Sequence, residues 1–359
     1  IVAIDIVSGF CADSGRRIGK AAPCFAHLTV TFHRAKLGHY LGECIDASWA
    51  LRCVAIGLGD TDGALHLTSA PGSRLAKRAG HKFGYGHALI LCGPPGHGGA
   101  ARMAARGALR IGAGLVTLAC PPEARLENVV QLDAIMLKIV GDGAGLADVL
   151  SDTRLNALCL GPGLGLDARA ADSVRVALEK SRSRLKLGAG QSLRLVLDAD
   201  ALTLISRDTH LFALLHKDCV LTPHGGEFAR LFPDIAAKLD APATKGPAYS
   251  KVDATRDAAA RADCVVLYKG PDTVIASPDG TCAINNAAYD RAAPWLATAG
   301  SGDVLAGFIT GLLARGFAPH QAAETGAWLH VECARSFGPG LIAEDLSEEL
   351  PKVFRALGL

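Results

Sequence analysis

Residues 297–316, ATAGSGDVLAGFITGLLARG, combine the residue types and spacing that phosphoryl chemistry needs. A turn of small residues, Gly300-Ser301-Gly302, leads straight into a stretch whose apolar positions Val304, Leu305, Phe308, Ile309, Leu312 and Leu313 follow helical spacing, with Gly316 as the expected C-cap. Backbone N–H groups converge there without Cβ obstruction, and together with the helix macrodipole they form an anion site. Asp303 would lie beside any phosphate bound at that point. A carboxylate repels phosphate, so its use there is chiefly as a base that deprotonates a hydroxyl attacking phosphorus. On the tetrapeptide alone, helix capping accounts for Asp303 as well as catalysis does.

The surrounding elements must position such a turn. From about Gly84 onward, short Leu-rich or β-branched runs (ALILCG, LVTLAC, ALCLG, LRLVLD, CVLTP, CVVLYKG) alternate with helical patterns and are bounded by glycine loops. That alternation predicts an α/β domain with a mostly parallel central sheet covered by helices on both faces. TVIASPDGTCAI reads as a hairpin around Asp279-Gly280. Residues 1–60 offer three strand-like stretches, VAIDIV, LTVTF and CVAIG, which are too few to close a core easily. Residues 61–80 lose periodicity and gain Pro, Gly and basic residues, as a linker would. The expected organisation is therefore an N-terminal fragment at 1–60, a linker at 61–80 and a main domain at 81–359.

Composition narrows the partners. The 37 basic and 35 acidic residues leave a formal charge of +2, so neither nucleic acid nor an anionic membrane surface is expected as a partner. Eleven cysteines with no C-x-x-C pair, most of them in apolar runs, read as buried thiols of a reducing, cytoplasmic compartment. The longest nearly apolar run, residues 304–314, is too short to span a bilayer. The opening IVAIDIVSG has no basic leader and reads as a strand from the middle of a domain.

With these residues in view, the chain resembles ribokinase-like enzymes, whose anion hole and catalytic base carry the pattern A[TS]-x-G-[TS]-G-D-x-L-x-G. Further segments narrow the resemblance to the NAD(P)H-hydrate dehydratase family. They are HKFGYGHALILCG at 81–93, GGAARMAARGALRIGAGLVTLA at 98–119, LGPGLG at 160–165, LDADAL at 197–202, LTPHGGEFARL at 221–231 and KGPDTVIASPDG at 269–280. AIDIVSGFCADSGRRIG and LTVTFHRAKLGH in the first 57 residues are similar to the final part of an NAD(P)H-hydrate epimerase domain, which precedes the dehydratase in bifunctional repair enzymes. Val7 stands where that family has proline, Gly225 where it has the second proline of P-H-P-G-E, and Trp295 where it has a glycine beside the nucleotide pocket.

The resemblance implies a lyase that restores hydrated NADH or NADPH, in the S form, by dehydration driven by ADP or ATP with Mg²⁺. Phosphorylation would turn a poor leaving group, the ring hydroxyl, into a good one. In that reading Asp303 is the base, Gly300, Ser301 and Gly302 form the anion hole, and Ala100, Gly163 and His224 meet the hydrated dinucleotide. Lys269, Gly270, Pro271, Asp272, Thr273 and Gly302 hold the ADP or ATP side. Asp198 and Asp200 are weaker candidates for metal or substrate, since helix capping explains one of them, and Glu227 lies beside His224 at the end of the apparent strand CVLTP. Asp5 and Ser8 match an acid/base and an ion-associated position of the epimerase, with potassium implied only for a complete epimerase. The epimerase's Asn- and Gly-rich loop is missing from these residues, so epimerisation is not expected, and the fragment is expected to be mobile or packed opportunistically. Homo-oligomers are common in the family. Two rival readings remain: a small-molecule kinase of the hydroxymethylpyrimidine or hydroxyethylthiazole type, and a decayed paralogue that binds nucleotides without turnover.

Overall fold

The computed structural model describes residues 1–59, 63, 65–186 and 192–359. Three short strands, β1 (Val2–Ile4), β2 (Leu28–Phe32) and β3 (Leu51–Val54), form a parallel sheet in the order β1-β2-β3. The main sheet contains β4 (Leu65–Leu67), β5 (His87–Leu91), β6 (Leu115–Cys120), β7 (Met136–Ile139), β8 (Leu155–Leu160), β9 (Arg194–Leu197), β10 (Cys219–Leu221), β11 (Val265–Tyr268), β12 (Asp272–Ala276) and β13 (Cys282–Asn286). Its order is β4-β13-β12-β11-β10-β9-β8-β5-β6-β7. Pairing is parallel except along β11-β12-β13, where β12 and β13 make the expected hairpin.

Strand alternation divides the side chains between two cores. Leu89, Leu91, Leu158 and Leu160 pack with the 143–149, 168–185, 199–207 and 225–231 helices on one face. Ala88, Ile90, Cys92, Ala157 and Cys159 meet the 98–110, 301–314, 319–337 and 343–356 helices on the other. Both faces of the sheet are thus buried, which is why its strands read as continuous apolar runs instead of alternating ones.

From β5 the chain proceeds to β6 and β7 on one side, and then β8 pairs with the opposite edge of β5. The loops that follow β5 and β8 therefore flank a topological switch point, the usual ligand crevice of an open α/β sheet.

The stretch expected as a linker is in part a sheet element. Leu65–Leu67 pairs in parallel with β13, and Thr68 donates from its hydroxyl to Asn285 at 2.8 Å. Thr61, Asp62 and Ala64 lie outside the described residues. The N-terminal unit encloses a small core of Val7, Phe10, Ala26, Cys44 and Ala47, so the valine in place of proline is a packing residue. Defined hydrogen bonds join it to the main domain: Arg16 reaches the carbonyls of Tyr249 and Ala241, Gly19 N–H donates to Ala243, and Tyr289 donates its hydroxyl to the His39 carbonyl at 2.7 Å. Of the eleven cysteines, Cys24 and Cys53 are exposed and the other nine are buried, all as free thiols.

Candidate active site

The helix Ser301–Ala314 is held close against the helix Gly98–Arg110 because Gly307 and Gly311 present no side chain to it. A Cβ at Gly307 would lie 2.2 Å from the Ala104 carbonyl oxygen, and one at Gly311 would lie 2.6 Å from that of Ala108. This close approach fixes the height of the helix N-terminus above the sheet. Gly300 caps that end with φ of +87°, in the left-handed region, and a Cβ on it would collide with Met103 and Ala343. As a glycine, Gly300 supplies no side-chain cap. Ser301 N–H donates to the Thr298 carbonyl at 3.4 Å, while among the described residues the N–H groups of Gly302 and Asp303 have no partner and stay open to a ligand.

The turn opens into a cleft of about 1040 Å³. On its floor the Lys269 ammonium donates to Asp198 at 2.8 Å and lies 3.9 Å from Glu227. It also sits 3.4 Å from where a Cβ of Gly302 would be, beside the first turn of the helix. Burial pushes the Lys269 ammonium down, but the Asp198 and Glu227 carboxylates more than offset this and raise it. Asp303, on the same turn, is pushed up to about 6, first by burial and then by repulsion from Asp198, with Lys269 opposing. Among the described residues no side chain bonds the Asp303 carboxylate. A carboxylate poised near neutrality and free of partners is suited to act as a base.

His224 caps the helix Gly225–Leu231, with Nδ1 accepting from the Gly226 N–H, while the buried Glu227 accepts from the His224 N–H at 2.8 Å. Gly225 is simply the first residue of that helix, so the loop holds its shape through this reciprocal cap without a second proline.

Most of the expected residues line one cleft: Gly300, Ser301, Gly302, Asp303, His224, Glu227, Asp198, Lys269, Gly270, Pro271 and Thr273. Thr273 donates to the Gly270 carbonyl at 2.7 Å and closes that loop. Asp272 does not join them. Its carboxylate turns away to accept from the buried Lys251 at 2.6 Å and from the Gly42 N–H at 3.0 Å. Ala100 and Gly163 also lie outside this cleft, at the switch point: Ala100 on the first turn of the helix Gly98–Arg110 that follows β5, and Gly163 on the loop after β8. Gly163 has φ of +60° and packs against the His97 carbonyl, where a Cβ would come within 2.4 Å. Asp200 accepts from Gly165 N–H at 2.8 Å and so braces that second loop. Asp5 and Ser8 are remote in the N-terminal unit. The Lys36 ammonium bonded to Asp5, helped by Thr31, holds its carboxyl below the usual range. Trp295 does not narrow the cleft: its neighbours Pro294 and Leu296 line it, whereas Trp295 is 47% exposed and is not among the lining residues.

Sequence reasoning missed His330. This buried imidazole lines the cleft and donates from Nε2 to the Ser301 carbonyl at 2.9 Å, steadying the anion turn from the neighbouring helix. Burial lowers it to about 4, below the ordinary 6.5, so the folded state resists its protonation. Stability from this group is complete above pH 6.5 and is lost as pH falls toward 4. Replacing it by leucine should cost about 1 kcal/mol at pH 7.5. The deficit should shrink as pH falls from 6.5 to 4. Melting temperatures of both proteins across that range check this, and a constant deficit would exclude it.

Comparison with known proteins bears on the same residues. The family model described as NAD(P)H-hydrate dehydratase matches residues 88–352, from β5 past the anion turn. The chain belongs to the NAD(P)H-hydrate dehydratase family. A curated relative, the bifunctional NAD(P)H-hydrate repair enzyme Nnr of Moorella thermoacetica, is 37% identical over 99% of this chain and 67% of its own length. The enzyme of the same name from Coxiella burnetii is 31% identical over 98% of this chain and 68% of its own. The chain thus spans about two thirds of the length of the curated relatives it matches. Among solved structures, the ADP/ATP-dependent NAD(P)H-hydrate dehydratase of Bacillus subtilis, co-crystallised with ATP and Mg²⁺, aligns at a TM-score of 0.60 and 27% identity over 80% of this chain and 94% of that one. A ribokinase-like superfamily protein of Enterococcus faecalis, 22% identical at a TM-score of 0.61 over 83% of this chain and 98% of its own, shares the fold. The ribokinase-like fold class expected from the sequence is therefore correct. Among the described residues no helix is long and apolar enough to cross a membrane.

Proposed function

We propose that this dehydratase-family chain restores hydrated NADH and NADPH by phosphorylating the ring hydroxyl with ADP or ATP and eliminating phosphate. One observation carries the reading. Asp303, raised to about 6, stands on the first turn of a helix whose Gly302 and Asp303 N–H donors have no partner among the described residues, with the Lys269 ammonium beside it. Asp303 accepts the hydroxyl proton as the oxygen attacks phosphorus. The N–H groups of the Gly300–Gly302 turn and Lys269 stabilise the charge on the transferred phosphoryl group. The ring nitrogen lone pair then expels phosphate, and loss of a proton from the adjacent ring carbon restores the double bond.

The donor set suits Mg²⁺ carried on phosphates. Asp198, Glu227 and Asp303 supply hard oxygen donors in excess of Lys269, while among the described residues no cluster of three or more ligating side chains forms a cage of its own. Asp198 and Glu227 would hold the ion, which supplies neutralisation of phosphate charge when bound. His224, exposed at the rim above Glu227, fits a contact to the dinucleotide, whose path continues to the switch point at Ala100 and Gly163.

Chemically prepared NADH hydrate, mixed with the protein, Mg²⁺ and ADP or ATP, should regain reduced-nicotinamide absorbance with release of phosphate. A kinase of the same fold would instead accumulate a phosphorylated product with no such recovery. Of the two nucleotides, ADP should support the faster rate. Parallel time courses with the two nucleotides check this, and faster recovery with ATP would reverse the preference.

A further inference from the structure

The cleft that holds the anion turn is not built by the main domain alone. Ile45, Asp46, Ser48 and Trp49 of the N-terminal unit line it together with Lys269, Thr273, Asn285, Tyr289 and Asp303. We propose that this segment completes the nucleotide end of the dehydratase cleft and that Trp49 stacks on the purine base of ADP or ATP. The proposal rests on the nucleotide reading given above.

Three observations carry it. The segment is fastened beside the nucleotide loop: the turn Gly42–Ala47 starts at Gly42, whose N–H donates to Asp272, and the same carboxylate accepts from Lys251 in a buried pair. Asp272 is the first residue of β12 and the neighbour of cleft-lining Thr273. On the other flank Tyr289, itself a lining residue, donates to the His39 carbonyl and meets the Tyr40 ring edge-on at 6.1 Å. The polarity of the cleft then sets the direction of the ligand. Phosphates belong at the Lys269 and Gly300–Gly302 end. Other walls of the cleft are Ala287, Ala288, Ala292, Ala293, Leu296 and Val331, apolar and suited to a ring. At the rim the exposed Asp46 carboxylate would repel phosphate, so the base lies outermost. Finally, Trp49 is 70% exposed although it lines a cleft. Its indole is braced edge-on by Phe25 at 5.5 Å and by His27 at 4.7 Å, which holds the ring without covering it. A fixed, uncovered indole lining a nucleotide cleft that has apolar walls is a stacking platform.

Calorimetric titration of the whole chain with Mg²⁺ and three probes, ADP, ATP and inorganic pyrophosphate, tests the proposal. Base stacking on an aromatic ring is worth about 5- to 150-fold in affinity. Trp49→Ala should therefore bind ADP and ATP about tenfold or more weakly while its affinity for pyrophosphate, which has no base, is unchanged. Trp49→Phe should recover most of the loss. Equal affinity of wild type and Trp49→Ala for ADP overturns the stacking role while leaving the nucleotide reading intact. A parallel loss for pyrophosphate overturns it as well, since the residue would then act through the shape of the phosphate end. Failure of the wild-type protein to bind ADP or ATP removes both.

Discussion

Asp303→Asn should abolish turnover and at the same time stabilise the fold. The amide keeps the shape of the side chain but cannot accept the hydroxyl proton, and loss of a positioned general base costs about 10² to 10⁴ in rate. The stability change follows from the same environment. Burial and the Asp198 carboxylate hold Asp303 at about 6, above the 3.8 of an unperturbed side chain. A carboxyl raised on folding destabilises the native state when ionised, so the penalty is complete above pH 6 and is relieved as pH falls toward 3.8. Asparagine has no charge to bury, so the variant should gain on the order of 2 kcal/mol at pH 8, and the gain should vanish below about pH 4. Denaturant unfolding at pH 8 and pH 4, beside initial rates on NADH hydrate, gives both quantities. Unchanged stability at pH 8 would mean that the carboxylate is better solvated than its surroundings imply. Near-normal turnover would remove Asp303 from the chemistry.

Asp303 and His330 make opposite contributions over the same pH range, and both bear on the same helix end. As pH falls from 6.5 to 4 the protein loses stability through the buried imidazole and recovers it through the carboxyl. The wild-type profile should therefore be flatter there than that of either single variant. This pairing is a stability cost retained for function, because a solvated aspartate would not be a base poised near neutrality.

The strands of the main sheet were readable because they are buried on both faces. Leu89 and Ile90 are neighbours in sequence that serve two different cores, so both had to be apolar. β7 at the sheet edge escaped notice because Met136 and Ile139 are exposed and Lys138 interrupts the run. β4 was hidden by its length of three residues and by the turn-forming residues around it. Within the site, the anion turn was legible because a glycine turn followed by an amphipathic run is a local signal. Asp272 was grouped with Lys269 and Thr273 because the resemblance takes in the whole run 269–273, but residues 272 and 273 sit in a strand and point to opposite faces. That alternation was available in the sequence. His330 and Trp49 were not, since each reaches the cleft through packing between distant segments: one from the 319–337 helix, the other from a unit joined to the main domain through Arg16, Gly19, Gly42 and His39.

Lys269→Met should give the largest combined loss of activity and stability and should also move the pH profile. Among the described residues the ammonium is the one Lys or Arg cation lining the cleft, 2.8 Å from Asp198 and 3.9 Å from Glu227. Both carboxylates are nearly buried, with Glu227 5% exposed. Methionine fills a similar volume but leaves them facing each other uncompensated. Removal of one partner from a buried ionic cluster costs about 3 kcal/mol. Because these acids raise the ammonium above its ordinary value, its contribution is fully present at neutral pH and is lost only as pH rises above 10. The deficit should therefore be constant from about pH 8 to 9, above the range in which the freed carboxyls titrate. Catalysis loses a charge-assisted donor to the phosphoryl group, which should lower kcat/KM for the nucleotide by about 10². Lys269 also holds Asp303 down against burial and Asp198. Without it the base titrates higher, and the acid limb of the kcat/KM profile should move from near pH 6 toward neutrality. Lys269→Arg keeps the charge and should leave the limb close to its wild-type position. A pH profile of all three proteins separates the two effects. A uniform loss with no shift of the acid limb in Lys269→Met would confine Lys269 to binding phosphate and would detach it from the tuning of Asp303.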